Sequence, residues 1–101
     1  MPTAGKTALR SAFGRVVREL RIRSGLTQEQ LSFKAKVHRT YIGDLERGLK
    51  SPTLDVVDAI GTALGVEAHV LVEAAIRARG RTHRKDDRNG TRQRVRNQPS
   101  K

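Results

Sequence analysis

The chain has 101 residues, which allows one small hydrophobic core and argues against an enzyme with a large cleft. Its formal net charge is +11, and 15 of its 21 basic residues are arginine, whose planar fork matches phosphates and guanine edges. Nucleic acid is therefore the partner that the composition favours. There is no cysteine, which excludes disulfides and thiolate metal sites.

The first ten residues hold no apolar run of the kind found in signal peptides, and no stretch approaches ~18 apolar residues. We therefore expect a cytoplasmic protein.

Residues 1–6 contain proline and glycine and are predicted to form a flexible N-terminal arm. From Thr7 to Ser24, apolar residues recur at helical spacing, which predicts a first helix that ends at Gly25. Its predicted inward residues are Leu9, Phe13, Val16, Val17 and Leu20.

Two short helical patterns follow, in the stretch 26–48. Thr27 with Gln30 forms a capping-box pattern, so a helix of about two turns should begin there, with Leu31 and Ala35 facing inward. The spacing breaks at residues 36–38, and the next helix places Ile42 and Leu45 inward. Gly48 is a left-handed stop for that helix.

Thr53 should cap a fourth helix that runs through Leu64. Its predicted inward residues are Leu54, Val57, Ile60 and Leu64. Gly61 lies in the middle of this helix, where it costs ~1 kcal/mol relative to alanine, so we expect close packing there. Gly65 ends the helix, and a fifth is predicted from Glu67 to about Arg79.

Residues 80–101 hold eight basic and two acidic residues, a net charge of +6, with a single aliphatic residue, Val95. Such a segment cannot bury a core, so a disordered basic tail is expected. Six arginines lie three or four residues apart and would share one face if the segment became helical on a polyanion: Arg77, Arg81, Arg84, Arg88, Arg92 and Arg96. Asn89-Gly90 argues against a continuous helix beforehand. A sequence-blind tether to DNA or RNA and a solvated tail that aids solubility both fit this pattern.

The stretch TQEQLSFKAKVHRTYIGDLERG resembles the helix-turn-helix of Cro/repressor-type (XRE) regulators, and HRTYIGDLERG is similar to the recognition helix of restriction-modification controller proteins. RELRIRSGLTQEQL and SPTLDVVDAIGTALGV match in register, so the resemblance covers about Phe13 to Val72. It implies an all-α, compact five-helix, lambda-repressor-like DNA-binding domain over residues 7–79, with its motif at about 27–47. The second motif helix would enter the major groove, usually in a symmetric dimer.

The resemblance also implies roles for single residues. Its family commonly has glycine at the position of Lys36, where a left-handed backbone costs roughly 1 kcal/mol, so a slightly altered turn is expected. An ion pair between Arg21 and Glu46 should tie the first helix to the third. Val70 stands where the family usually has a polar residue, and the fifth helix is more apolar than one core-facing stripe needs. The candidate dimer contacts are His69, Val70, Glu73 and Ala74.

On this template the amino end of the third helix meets base edges. Arg39 is the main candidate reader, because a guanidinium can donate two hydrogen bonds to guanine. Asp44 would accept from cytosine or orient Arg39, and a capping role is favoured for His38. The candidate base contacts are His38, Arg39, Thr40, Tyr41 and Asp44. The candidate phosphate contacts are Thr27, Gln28, Arg47 and Lys50.

Two binding functions of different classes remain open. One is a DNA-binding transcriptional regulator, a repressor or autoregulator, acting as a dimer on a pseudo-palindromic operator, with Glu29 exposed where RNA polymerase would reach it. The other is an antitoxin-type protein partner that uses exposed Phe33, Ile22 or the tail. Neither a cofactor nor a metal is expected, because the three histidines are too scattered to suggest a metal site and no second ligand type clusters near any of them. Catalysis is not expected.

Overall fold

Five α-helices make up the part of the chain that the structure describes. The computed structural model describes the backbone of residues 2–88 and the side chains of residues 8–80. The helices are α1 Pro2–Arg23, α2 Gln28–Ala35, α3 Arg39–Glu46, α4 Leu54–Leu64 and α5 Ala68–Arg88, and no strand occurs within 2–88. The all-α, five-helix prediction is confirmed.

The helix ends follow the short-range capping signals of the sequence. The Thr27 hydroxyl accepts from the Gln30 amide at 3.0 Å, and the Gln30 side chain accepts from the Thr27 amide at 2.8 Å, a complete capping box for α2. Thr53 caps α4 through the Val56 amide, which donates to its hydroxyl oxygen. Gly65 ends α4 with a left-handed backbone at φ 79°.

Helix α1 is longer than the sequence pattern predicts. It begins at Pro2, so residues 2–6, expected as a loose arm, have helical backbone. Proline suits the first position of a helix because its missing amide would have no partner there. The expectation of a flexible arm rested on Pro2 and Gly5, and a proline at this position does not oppose a helix.

Helix α5 also extends beyond its predicted end. Residues 80–88, assigned to a disordered tail, continue the helix to Arg88, and residues 89–101 lie outside the described part of the chain. A segment that cannot bury a core by itself can still continue a packed helix, because each added residue needs only one further backbone bond. Arginine and lysine also have good helix propensity.

The core lies where α1 packs against α5, α3 and α4, and where α2 packs against α3 and α4. Its largest fully buried side chains are Leu31, Ile42, Leu45, Ile60, Leu71 and Val17. Leu54, predicted to face inward, is 84% exposed. Three-residue steps rotate a helical stripe by about 60° each, so Leu54 lies far around α4 from Ile60.

Gly61 is required by close packing, as predicted. A Cβ at this position would lie 2.7 Å from the carbonyl oxygen of Val66, in the turn that leads from α4 to α5. The glycine therefore lets this turn fold back on its own helix.

No single helix in the described part of the chain is long and apolar enough to cross a membrane. Leu54–Leu64 and Ala68–Gly80 reach that length and apolarity only as a pair, which is bent by 99°.

Candidate nucleic-acid interface

Helix α3 has one buried face and one free face. Ile42 and Leu45 are fully buried, and Glu46 is 6% exposed. The five candidate base contacts lie away from these residues. His38, Arg39 and Thr40 are exposed, and Tyr41 and Asp44 are half-buried. The core therefore holds α3 by one side and leaves its amino end accessible.

The turn between α2 and α3 keeps a left-handed backbone. Lys36 has φ 62° and ψ 43°, and its amide hydrogen bonds to carbonyls of α2 close that helix. The expected alteration of the turn is therefore wrong. The turn retains the geometry that glycine would adopt freely, with a strain of roughly 1 kcal/mol in a residue that has a Cβ. Lys36 is exposed, so packing does not oppose this geometry.

Direct backbone contact between α1 and α3 depends on Gly14, a residue that the sequence patterns had not singled out. A Cβ at Gly14 would overlap the carbonyl oxygen of Leu45 and lie 2.9 Å from that of Glu46. A glycine in the interior of a long helical pattern was the available signal, the same one that identified Gly61. This contact sets how closely the carboxyl end of α3 approaches α1.

The ion pair implied by the resemblance is present and buried. Arg21 Nε lies 2.7 Å from Glu46 Oε2, and a second guanidinium nitrogen donates to Oε1 at 3.0 Å. The third nitrogen of Arg21 donates to the carbonyl oxygen of Leu26 at 2.8 Å. Each guanidinium nitrogen of Arg21 therefore has one hydrogen-bond partner, an arrangement that compensates two charges removed from water and links α1, the turn after it and α3.

Gln28, a candidate phosphate contact, belongs to the same network. Its Nε2 donates to Glu46 Oε1 at 3.0 Å, so α2 is also joined to the end of α3. The Thr27 hydroxyl oxygen accepts in the capping box and keeps its own O–H for another acceptor. The first residues of α2 are therefore held in place before any ligand arrives.

The structure brings Arg39 together with the candidate phosphate contacts of α2. Thr27, Gln28 and Arg39, with Arg21 and Glu29, line an open cleft of about 390 Å³ at the amino end of α2. Among residues 8–80, Arg39 has no side-chain hydrogen bond or ion pair. The other candidate phosphate contacts, Arg47 and Lys50, are exposed beyond the carboxyl end of α3.

Asp44 pairs with Arg47 and not with Arg39. The Asp44 carboxylate accepts a hydrogen bond from the Arg47 guanidinium one turn later in the chain. Residues three apart are neighbours on a helix surface, whereas Arg39 lies five residues earlier. In this structure, therefore, Asp44 orients a candidate phosphate contact and leaves the candidate base reader free.

His38 and Tyr41 complete the free face of α3. His38 occupies the N-cap position, as favoured, but its side chain makes no capping bond and its ring is exposed. Burial raises the pKa of the Tyr41 hydroxyl above its ordinary value of 10.0. As in any tyrosine at neutral pH, this hydroxyl is protonated and can donate a hydrogen bond.

The candidate dimer residues lie on the outer side of α5. Val70 is 41% exposed, and Ile76, which the candidate set omits, is 44% exposed, whereas Leu71 between them is fully buried. Glu73 is exposed and forms an ion pair with Arg77 at 2.9 Å. His69 is exposed and Ala74 is half-buried, so all four candidates border the core or face outward. The separately noted Phe33 and Ile22 are 85% and 51% exposed.

Comparison with known proteins gives the same fold and family. The helix-turn-helix family model matches residues 17–71. The control protein C.BamHI of Bacillus amyloliquefaciens is 42% identical over 66 residues, which are 64% of this chain and 82% of that protein. Some other curated relatives are longer: the chain spans 41% of the immunity repressor protein of Bacillus phage phi105.

Two solved structures are similar to this chain. The restriction-modification controller protein C.AhdI of Aeromonas hydrophila has 39% identity and a TM-score of 0.59, over 60% of this chain and 92% of that one. The controller protein C.Esp1396I, solved as a tetramer with its natural 35 base-pair operator, has 32% identity and a TM-score of 0.64. That match covers 70% of this chain and 93% of the other. With its buried Arg21–Glu46 pair, its capped α2 and its exposed α3, the chain belongs to the XRE-type helix-turn-helix family, together with the restriction-modification controller proteins.

Proposed function

We propose that this protein regulates transcription by binding duplex DNA in a sequence-specific manner, with the amino end of α3 in the major groove. The supporting observation is the position of Arg39. It is exposed at the first position of α3, has no partner within residues 8–80, and shares a cleft with the amino end of α2. A guanidinium held in this way can donate two hydrogen bonds to O6 and N7 of guanine.

The remaining residues of α3 would divide between bases and backbone. Thr40 is exposed beside Arg39 and would contact a thymine methyl group or a base edge. The protonated Tyr41 hydroxyl would donate to the sugar-phosphate backbone or to a base acceptor. Asp44 would act through Arg47, because the pair places that guanidinium next to the helix before DNA is bound.

Phosphate contacts on both sides of α3 would fix its depth in the groove. Thr27 and Gln28 lie at the positive end of α2, where backbone amides and the helix dipole favour an anion. Arg47 and Lys50 lie beyond the carboxyl end of α3. Contacts of this kind position a protein on the duplex without reading its sequence.

The protein would act as a dimer through the exposed side of α5. Two copies related by a two-fold axis would then place their α3 helices in successive major grooves, roughly 34 Å apart, and favour a pseudo-palindromic operator. The solved C.Esp1396I structure, a tetramer on a 35 base-pair operator, supports assembly on DNA. Glu29 is exposed at the start of α2, beside the DNA-facing surface, and is our proposed contact for RNA polymerase.

The proposal is tested by selecting bound fragments from random duplexes at near-physiological salt and then titrating variants on the selected operator and on single-base variants of it. Arg39→Ala should lose discrimination at one position of each half-site by ~1 to 3 kcal/mol. Lys50→Ala is the matched control, because loss of a phosphate contact should weaken binding to all sequences nearly alike. Equal losses on every sequence for Arg39→Ala would remove Arg39 as a reader.

A further inference from the structure

A cavity of about 200 Å³ opens between α1, α4, α5 and the segment that joins α3 to α4. Its apolar wall is formed by Leu9, Phe13, Pro52, Val57, Val72 and Ala75. An apolar cavity of ~150 Å³ in a protein core is large enough to bind benzene. This cavity can therefore accept a small apolar molecule, and none of the candidate DNA contacts lines it.

Arg10 is the one charged residue among those that line this cavity in the described part of the chain. The Nε of Arg10 is buried, and it has no hydrogen-bond partner among the described residues. No acidic residue lines the cavity within that part of the chain. Because the Nε is closed off from solvent, an acceptor in the cavity would meet the terminal nitrogens of the same guanidinium, which have no side-chain hydrogen bond or ion pair among the described residues. A carboxylate is the acceptor whose planar geometry matches a guanidinium edge.

We propose that this cavity binds a small amphipathic monocarboxylate. The apolar body of the ligand lies against Phe13, Val57 and Val72, and its carboxylate accepts a hydrogen bond from Arg10. Inorganic phosphate fits less well, because it would leave the apolar wall without a partner and would itself be removed from water there.

The cavity touches two segments with roles in the proposed function. Ser51 and Pro52 follow Lys50 in the segment after α3, and Val72 and Ala75 belong to the helix that carries the candidate dimer contacts. A bound carboxylate would contact both segments at once. We therefore expect the bound carboxylate to change the affinity for the operator. This expectation rests on the proposed function, whereas the binding of the carboxylate to the cavity does not depend on it.

The binding test uses DNA-free protein, with benzoate and hexanoate as probes and benzamide and hexanamide as their uncharged counterparts. Methyl NMR spectra should show shifts at Leu9, Val57 and Val72 that saturate with a Kd of about 1 mM or tighter. Each amide should bind at least about tenfold more weakly, because it loses the charge-assisted hydrogen bond. Ionic strength is held constant, since a protein of charge +11 attracts anions without a site.

Arg10→Met keeps much of the length of the side chain and removes the donor, and it should weaken benzoate binding by about tenfold or more. Arg18→Met, on the same helix but exposed and outside the cavity, should leave it unchanged. If Arg10→Met does not fold, the comparison of benzoate with benzamide on the unmodified chain decides. Equal binding of acid and amide, or shifts that miss the three methyl-bearing residues, would overturn the proposal.

Operator titrations with and without benzoate then test the coupling. A change in affinity in the unmodified protein that is absent in Arg10→Met supports regulation through this cavity. Methyl shifts without any change in operator affinity would refute the coupling alone. Absence of operator binding in a protein whose methyl groups respond to benzoate would instead refute the proposed DNA-binding function.

Discussion

Replacement of Lys36 by glycine should stabilise this protein. Lys36 has a left-handed backbone, which costs a residue with a Cβ roughly 1 to 2 kcal/mol. Glycine removes that strain but gains conformational freedom in the unfolded chain, which offsets ~0.4 to 1 kcal/mol. Because Lys36 is exposed, no packing is lost. The two ranges leave a gain of about 0 to 1.6 kcal/mol, and their midpoints predict a free energy of unfolding higher by about 0.8 kcal/mol and a Tm higher by about 3 to 6 °C.

The assay is urea unfolding at 25 °C followed by circular dichroism, without DNA and at one fixed protein concentration, because self-association makes apparent stability concentration-dependent. Lys36→Ala keeps the strained backbone and removes the charge, so it should leave stability nearly unchanged. Gly65→Ala tests the reverse change, since Gly65 has φ 79° and a Cβ added there would meet nothing within 4 Å. It should lose about 1 kcal/mol. A Lys36→Gly protein no more stable than Lys36→Ala would refute the reasoning.

Three further outcomes are expected. Glu46→Ala should lower the free energy of unfolding by ~3 to 5 kcal/mol, because it leaves the buried Arg21 without its partner. Glu73→Ala breaks an exposed ion pair and should lower it by about 0.5 kcal/mol or less. Similar losses for the two variants in urea unfolding would contradict the buried network. Gly14→Ala should destabilise the protein by ~1 to 3 kcal/mol, because the added Cβ overlaps α3. Gly80 is a helical glycine with open space around it, so Gly80→Ala should stabilise the protein by ~0.5 to 1 kcal/mol. A Gly14→Ala protein of unchanged stability would show that α1 and α3 are not in backbone contact. Val70→Asp should shift the sedimentation profile toward monomer and weaken operator binding, and an unchanged profile would place the dimer contact elsewhere.

The sequence by itself determined the features that depend on neighbouring residues. The helix caps and helix stops need only a hydroxyl, an amide or a glycine within a few positions, so Thr27, Thr53 and Gly65 were predictable. Periodicity alone also predicted that Ile42 and Leu45 face the core, which leaves the opposite side of α3 free. The buried Arg21–Glu46 pair, 25 residues apart, was expected only through the family resemblance.

Only the tertiary structure decided the features that depend on how the helices meet. Gly14 is essential because α3 crosses α1 at that residue, a fact that no local pattern contains. Arg39 stays free because no side chain from another helix in the described part of the chain forms a hydrogen bond or ion pair with it. The position of Arg10 beside an open apolar cavity, with its Nε buried and unpaired, follows only from the way α1, α4 and α5 meet. Local chemistry thus sets where each helix begins and ends. Long-range packing determines which side chains remain available to a ligand, because a side chain that contacts another helix can no longer bind one.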